Sequence, residues 1–85
     1  MQVHRTAEFE KSLGKLPVTI RRLYAVQEKR LTNDWRDARL HLKRLQGLDG
    51  VYSFRVTRSY RALFYFNVEG NIILFEIDDR KDIYR

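Results

Sequence analysis

Residues 51 to 85 read VYSFRVTRSYRALFYFNVEGNIILFEIDDRKDIYR, and the way this stretch alternates decides the fold. Aromatic and β-branched residues recur at every second position in three runs, Val51 to Val56, Tyr60 to Val68 and Ile72 to Ile77. That is the pattern of strands with one face against a core. Val68-Glu69-Gly70-Asn71 reads as a tight hairpin between the last two runs. Period two then sorts the side chains. Tyr52, Phe54 and Val56, then Tyr60, Ala62, Phe64, Phe66 and Val68, then Ile73, Phe75 and Ile77 fall on the face expected to be covered. Ser53 and Arg55, then Arg61, Leu63 and Tyr65, then Leu74 and Glu76 fall on the other, with Arg80 just past the sheet. A buried sheet has no structural need for Arg55, Arg58, Arg61 and Arg80, and guanidiniums that converge in this way suit a phosphate. Glu76 offers a plainer account of part of the pattern, a structural ion pair with one of these arginines.

Upstream, Gln2 to Arg5 is a short candidate strand. Thr6 then offers a hydroxyl N-cap, with Glu8 and Glu10 where a helix start favours negative charge. Phe9, Leu13 and Leu16 follow at helical spacing, Gly14 weakens the helix end, and Pro17 separates it from a second helix running to about Leu31. The apolar face of that second helix is expected to carry Ile20, Leu23, Tyr24 and Leu31, with Arg21, Arg22, Lys29 and Arg30 on the other side. The two helices hold no clustered acid, base or nucleophile, so they read as an antiparallel pair covering the sheet. Thr32-Asn33-Asp34 signals a turn, and Trp35 to Gly50 reads as irregular, with a short strand or turn of helix. Trp35 is an isolated aromatic suited to anchoring a small core. Lys43 and Arg44 are placed to extend a phosphate-binding surface.

Eighty-five residues make one domain, residues 1–85. Seventeen Lys plus Arg against eleven Asp plus Glu give a net charge of +6, which favours a polyanionic partner. The absence of cysteine excludes a disulfide scaffold and a thiolate zinc site. No apolar run approaches the roughly 18 residues of a membrane span, and Met1 to Arg5 lacks the apolar region of a secretory signal, so a cytoplasmic location is expected. Asp78, Asp79 and Asp82 are read as ion-pair partners of neighbouring cations rather than a magnesium site, and no metal or cofactor is expected.

Two helices, a basic linker ending Leu45-Gln46-Gly47-Leu48, the strand Tyr52-Ser53-Phe54-Arg55-Val56, then Tyr60-Arg61-Ala62-Leu63-Phe64-Tyr65 and a terminal Asp79-Arg80-Lys81-Asp82-Ile83-Tyr84 together resemble the RelE/ParE superfamily of toxin–antitoxin toxins. The resemblance spans essentially the whole chain and favours the RelE-like branch. It implies an α+β fold, two N-terminal helices packed on a small twisted, mainly antiparallel sheet. It also implies ribosome-dependent cleavage of messenger RNA by metal-independent 2′-hydroxyl transesterification. The implied partners are a cognate antitoxin, the ribosome with its RNA, and the message, with operator DNA bound through the antitoxin. Carried over residue by residue, the resemblance makes Arg61 the phosphate-stabilising arginine, Arg80 a second cation on the transition state or leaving group, and Tyr84 the base. An unperturbed phenol titrates near pH 10, and adjacent guanidiniums favour its phenolate. Arg55, Arg58, Lys43, Arg44 and Lys81 fill supporting RNA-binding positions. The chain departs from many relatives at Asp79, where a histidine or lysine precedes the arginine, and at Ser53, where some carry a lysine. Two other outcomes stay open: inhibition of DNA gyrase, as in ParE, and a catalytically weakened RelE-fold binding protein.

Overall fold

The computed structural model describes residues 1–83. Its elements run β1 (Val3–Arg5), α1 (Ala7–Gly14), α2 (Val18–Asn33), a 3-10 turn (Ala38–Leu40), β2 (Lys43–Arg44), β3 (Val51–Arg55), β4 (Tyr60–Phe66), β5 (Ile72–Asp79) and α3 (Arg80–Ile83). The five strands form one sheet in the order β1-β5-β4-β3-β2, antiparallel except for β1 beside β5. Helices cover one face of this mixed sheet, giving the α+β architecture expected from the pattern.

Each helix starts where its sequence allows. The Thr6 hydroxyl accepts a hydrogen bond from the Phe9 N–H at 3.1 Å, capping α1. Pro17 stands at the N-cap of α2, where its missing N–H costs nothing. The buried stripe of α2 is Tyr24, Gln27 and Leu31, with Ile20 partly covered. Leu23, expected on that face, is 45% exposed, because the stripe centres on Gln27 and leaves Leu23 at its edge. Gln27 earns its burial by hydrogen bonding. Its amide donates to the carbonyls of Arg39 at 3.0 Å and Arg55 at 2.7 Å and accepts from Arg30, tying α2 to the 3-10 turn and to β3.

The core between helices and sheet is built from Phe9, Tyr24, Leu31, Leu40, Phe54, Ala62, Phe64, Ile72 and Leu74, all at most 1% exposed. Phe54, Phe64, Tyr52 and Phe66 pack ring against ring along it. Trp35 closes one end edge-on to Tyr52 and Phe66, 5.8 and 5.0 Å between centroids, so it is the core anchor that its isolation suggested. At the other side the Arg5 guanidinium holds Glu28 in a two-pronged ion pair, and Tyr24 donates to the same carboxylate at 2.6 Å. Burial, then the Glu28 charge, pushes the Tyr24 phenol up. Burial opposes ionisation of Glu28, but the bonds from Arg5 and Tyr24 outweigh it and hold the carboxyl below its usual value.

The alternation expected of β3 and β4 is observed; that of β5 is not. Leu63 pairs with Glu76 but Phe64 pairs with Leu74, so Phe75 is an extra residue, a β-bulge. The bulge inverts the parity of everything before it. Ile72 and Leu74 therefore enter the core, while Ile73 and Phe75 lie opposite, beside Tyr65. Val68 also departs from its expected core position: it sits fully exposed at the tip of the β4–β5 turn. That turn starts one residue earlier than expected, at Asn67, whose carbonyl accepts from Gly70 and whose side chain accepts from Glu69 and Asn71. Gly70 adopts φ +81° to close it.

Candidate RNA-binding and catalytic site

The face of the sheet away from the helices carries the arginines, and strand pairing brings them to one end. Arg55 on β3 lies directly opposite Arg61 on β4, and Arg61 lies opposite Asp78 on β5. The β3–β4 turn holds exposed Arg58, and its tightness comes from Thr57, whose hydroxyl accepts from the N–H groups of Ser59 and Tyr60. Arg80 joins this cluster through its backbone: its N–H donates to the Ser59 carbonyl at 2.6 Å. Arg55, Arg58, Arg61 and Arg80 therefore share one corner of the sheet.

Within that corner their exposures differ sharply. Arg80 is exposed and Arg55 half-buried, whereas Arg61 is 3% exposed. The Arg61 guanidinium donates to the Ser53 hydroxyl at 3.1 Å, the Ser53 carbonyl at 3.2 Å and the His41 carbonyl at 2.6 Å. His41 presents that carbonyl from a left-handed backbone, φ 48°. Arg61 thus binds the linker before β2 onto the sheet. Two like charges directly opposite each other normally weaken a sheet. Drawing the Arg61 charge into oxygen acceptors moderates that repulsion.

Asp78 and Asp79, expected as ion-pair partners, use oxygens on backbone groups instead. Asp78 accepts from the Asp79 N–H at 2.7 Å, and Asp79 accepts from the Lys81 N–H at 2.9 Å. Asp79 stands immediately before α3 and so acts as its cap, which orients the turn that carries Arg80. Among the described residues no group of three His, Asp or Glu side chains converges as for a metal ion. Glu76 forms no ion pair with Arg55 or any other described residue.

The remaining basic candidates lie elsewhere. Lys43 and Arg44 form the short edge strand β2. Lys43 pairs with Ser53 on the arginine-bearing face, while the Arg44 guanidinium lies over the Tyr52 ring at 5.8 Å. Lys81 is exposed on α3. Tyr84 lies outside the described residues. Sequence reading missed the cleft of about 670 Å³ between residues 43–48 and the sheet, whose lining includes Leu63, Phe75, Glu76 and Ile83. Only the bulge in β5 puts Phe75 there, and no local residue pattern announces it.

The chain is similar to a RelB–RelE antitoxin–toxin complex from Methanococcus jannaschii, with 25% identity over 94% of this chain and 93% of that one, at a TM-score of 0.77. It is also similar to the toxin–antitoxin complex RelBE2 from Mycobacterium tuberculosis, with 28% identity over 93% and 96% and a TM-score of 0.66. The isolated E. coli RelE toxin shares the fold at 18% identity, over 98% and 89%, TM-score 0.73. No family model and no curated protein matches the chain. The fold is that of the RelE-like toxins of toxin–antitoxin pairs, the class to which the similar solved structures belong. Its likenesses within that class run to RelE and YoeB toxin structures.

Proposed function

We propose that this chain is the toxin of a toxin–antitoxin pair, held inactive in the cytoplasm by a cognate antitoxin, and that it cleaves ribosome-bound messenger RNA without a metal. The observation that carries this reading is the gathering of Arg55, Arg58, Arg61 and Arg80 at one corner of the sheet. In the proposed reaction the 2′-oxygen attacks the adjacent phosphorus, a 2′-O–P bond forms and the P–O5′ bond breaks. The products are a 2′,3′-cyclic phosphate and a 5′-hydroxyl end. Charge accumulates on the phosphate oxygens in the transition state, and fixed cations there stabilise it more than they stabilise the ground state.

In this reading Arg80, which is exposed, and Arg55, which is half-buried, meet those oxygens directly. The acceptors that Arg61 uses at Ser53 and His41 are neutral. Exchange of one of them for a phosphate oxygen gives a charge-assisted bond roughly twice as strong, and this brings Arg61 into the clamp. Tyr84, four residues after Arg80 in the sequence, is assigned as the base: as its phenolate it takes the 2′-hydroxyl proton, and a water molecule protonates the departing 5′-oxygen. Complexes of RelB with RelE are among the similar structures, which supports an antitoxin as the partner here; operator DNA would then be bound through that antitoxin.

Gyrase inhibition is the competing reading, and one pair of assays separates them. Purified protein added to a reconstituted translation reaction should stop synthesis and cut the message, while leaving gyrase supercoiling of plasmid DNA unchanged. Intact message with blocked supercoiling would establish the competing activity instead.

A further inference from the structure

The bulge in β5 builds a feature that the clamp and base do not use. Phe75 and Glu76 both project from the arginine-bearing side beside Leu63, where a regular strand would send one of them inward. They form a wall of the cleft, with Leu63 and Ile83 as apolar lining and Lys43 at the far rim. Lys43 pairs with Ser53, Ser53 with Leu63 and Leu63 with Glu76. One row of the sheet thus carries a cation at one end and a carboxylate at the other, about 14 Å apart at three strand spacings. Phe75 is half-buried, supported by the Tyr65 ring at 5.6 Å. Glu76 is exposed and has no hydrogen-bond or ion-pair partner among the described residues.

We propose that this cleft is a guanine-selective base subsite for the RNA strand, an inference that rests on the nuclease reading for its substrate and adds the base that the substrate presents. An aromatic side chain against an apolar lining receives the face of a base, and stacking favours a purine. Glu76 sets which one. An ionised carboxylate only accepts hydrogen bonds. Guanine offers two adjacent donors, N1–H and the 2-amino group, which match its two oxygens. Adenine and cytosine each set one amino donor beside a ring-nitrogen acceptor, which repels the carboxylate. Uracil places its single N–H between two carbonyls. Lys43, across the cleft, meets the phosphate of the strand that carries the base. The cleft adjoins the corner cluster, since Leu63 and Arg61 lie two residues apart on one face of β4.

The test uses ribosome-bound messages randomised at the decoded codon, with cleavage ends counted, together with titration of the isotopically labelled full chain by nucleoside 5′-monophosphates. Wild type should favour guanine at one codon position by about tenfold to a hundredfold, the discrimination of a good two-pronged base contact. GMP should shift the resonances of Leu63, Phe75 and Glu76 at lower concentration than AMP, CMP or UMP. Glu76→Gln presents one acceptor and one donor, so it should move the preference from guanine to adenine in both measurements. Glu76→Ala should level it, cleavage at guanine codons falling toward the rate at the others. Equal shifts by all four nucleotides, or a guanine preference that survives in Glu76→Ala, would overturn the subsite. Selective GMP shifts without cleavage by any variant would support the subsite and contradict the nuclease reading.

Discussion

Arg80→Ala is expected to lower the rate of message cleavage by about 10²- to 10³-fold, the usual loss when one fixed donor to a developing anion is removed, with no fall in thermal stability. The side chain is exposed, and the bond that fixes the residue, from its N–H to the Ser59 carbonyl, survives in alanine. Alanine is also a good helix former, and removing a cation from the start of α3 relieves a mismatch with the helix dipole. Arg61→Ala provides the contrast. It should lose cleavage to a similar degree and also lose roughly 1–3 kcal/mol of stability, because the buried Ser53 loses this donor and the linker at His41 is no longer tied to the sheet. For a domain of this size that corresponds to about 4–8 °C in Tm per kcal/mol. Calorimetry beside a cleavage assay distinguishes the two variants. Undiminished cleavage in both would remove the clamp from the account.

Tyr84→Phe is expected to cost about 10²- to 10⁴-fold in cleavage rate, the range contributed by a positioned general base, with ribosome affinity within about threefold of wild type. The substitution deletes one oxygen and keeps the ring, so proton transfer is lost with the smallest change of shape. Single-turnover rates at saturating protein measure the chemistry, and sedimentation with ribosomes measures binding. A wild-type rate would confine Tyr84 to packing; parallel loss of rate and binding would make it a docking residue.

The strands β3 and β4 were legible because their alternation is unbroken and each side chain keeps its side. β5 was not, since a bulge adds Phe75 without glycine or any other local mark, and every earlier residue changes face. The position of Arg61 followed from parity, but its burial did not. Burial depends on His41 and the linker folding back over the sheet, a contact twenty residues distant in sequence. The order of residues 35–50 has the same origin: Trp35 on Tyr52 and Phe66, and Gln27 on the Arg39 carbonyl, hold a segment whose own propensities specify little. Leu23 was misplaced because the buried stripe of α2 centres on a glutamine, which a purely apolar periodicity passes over. Asp79 stood out in the sequence as a departure from relatives, and its contact with the Lys81 N–H gives it a local structural role as a cap.

Cleavage of ribosome-bound message by internal transesterification is tested most directly by the ends of the cut RNA. Purified protein, a defined message on ribosomes, and EDTA at a concentration that removes free divalent ions after the complex is assembled are sufficient. The account predicts cleavage within the decoded codon, leaving a 2′,3′-cyclic phosphate upstream and a 5′-hydroxyl downstream. A 5′-phosphate end, cleavage abolished by EDTA while the ribosome complex persists, or an uncut message would contradict it.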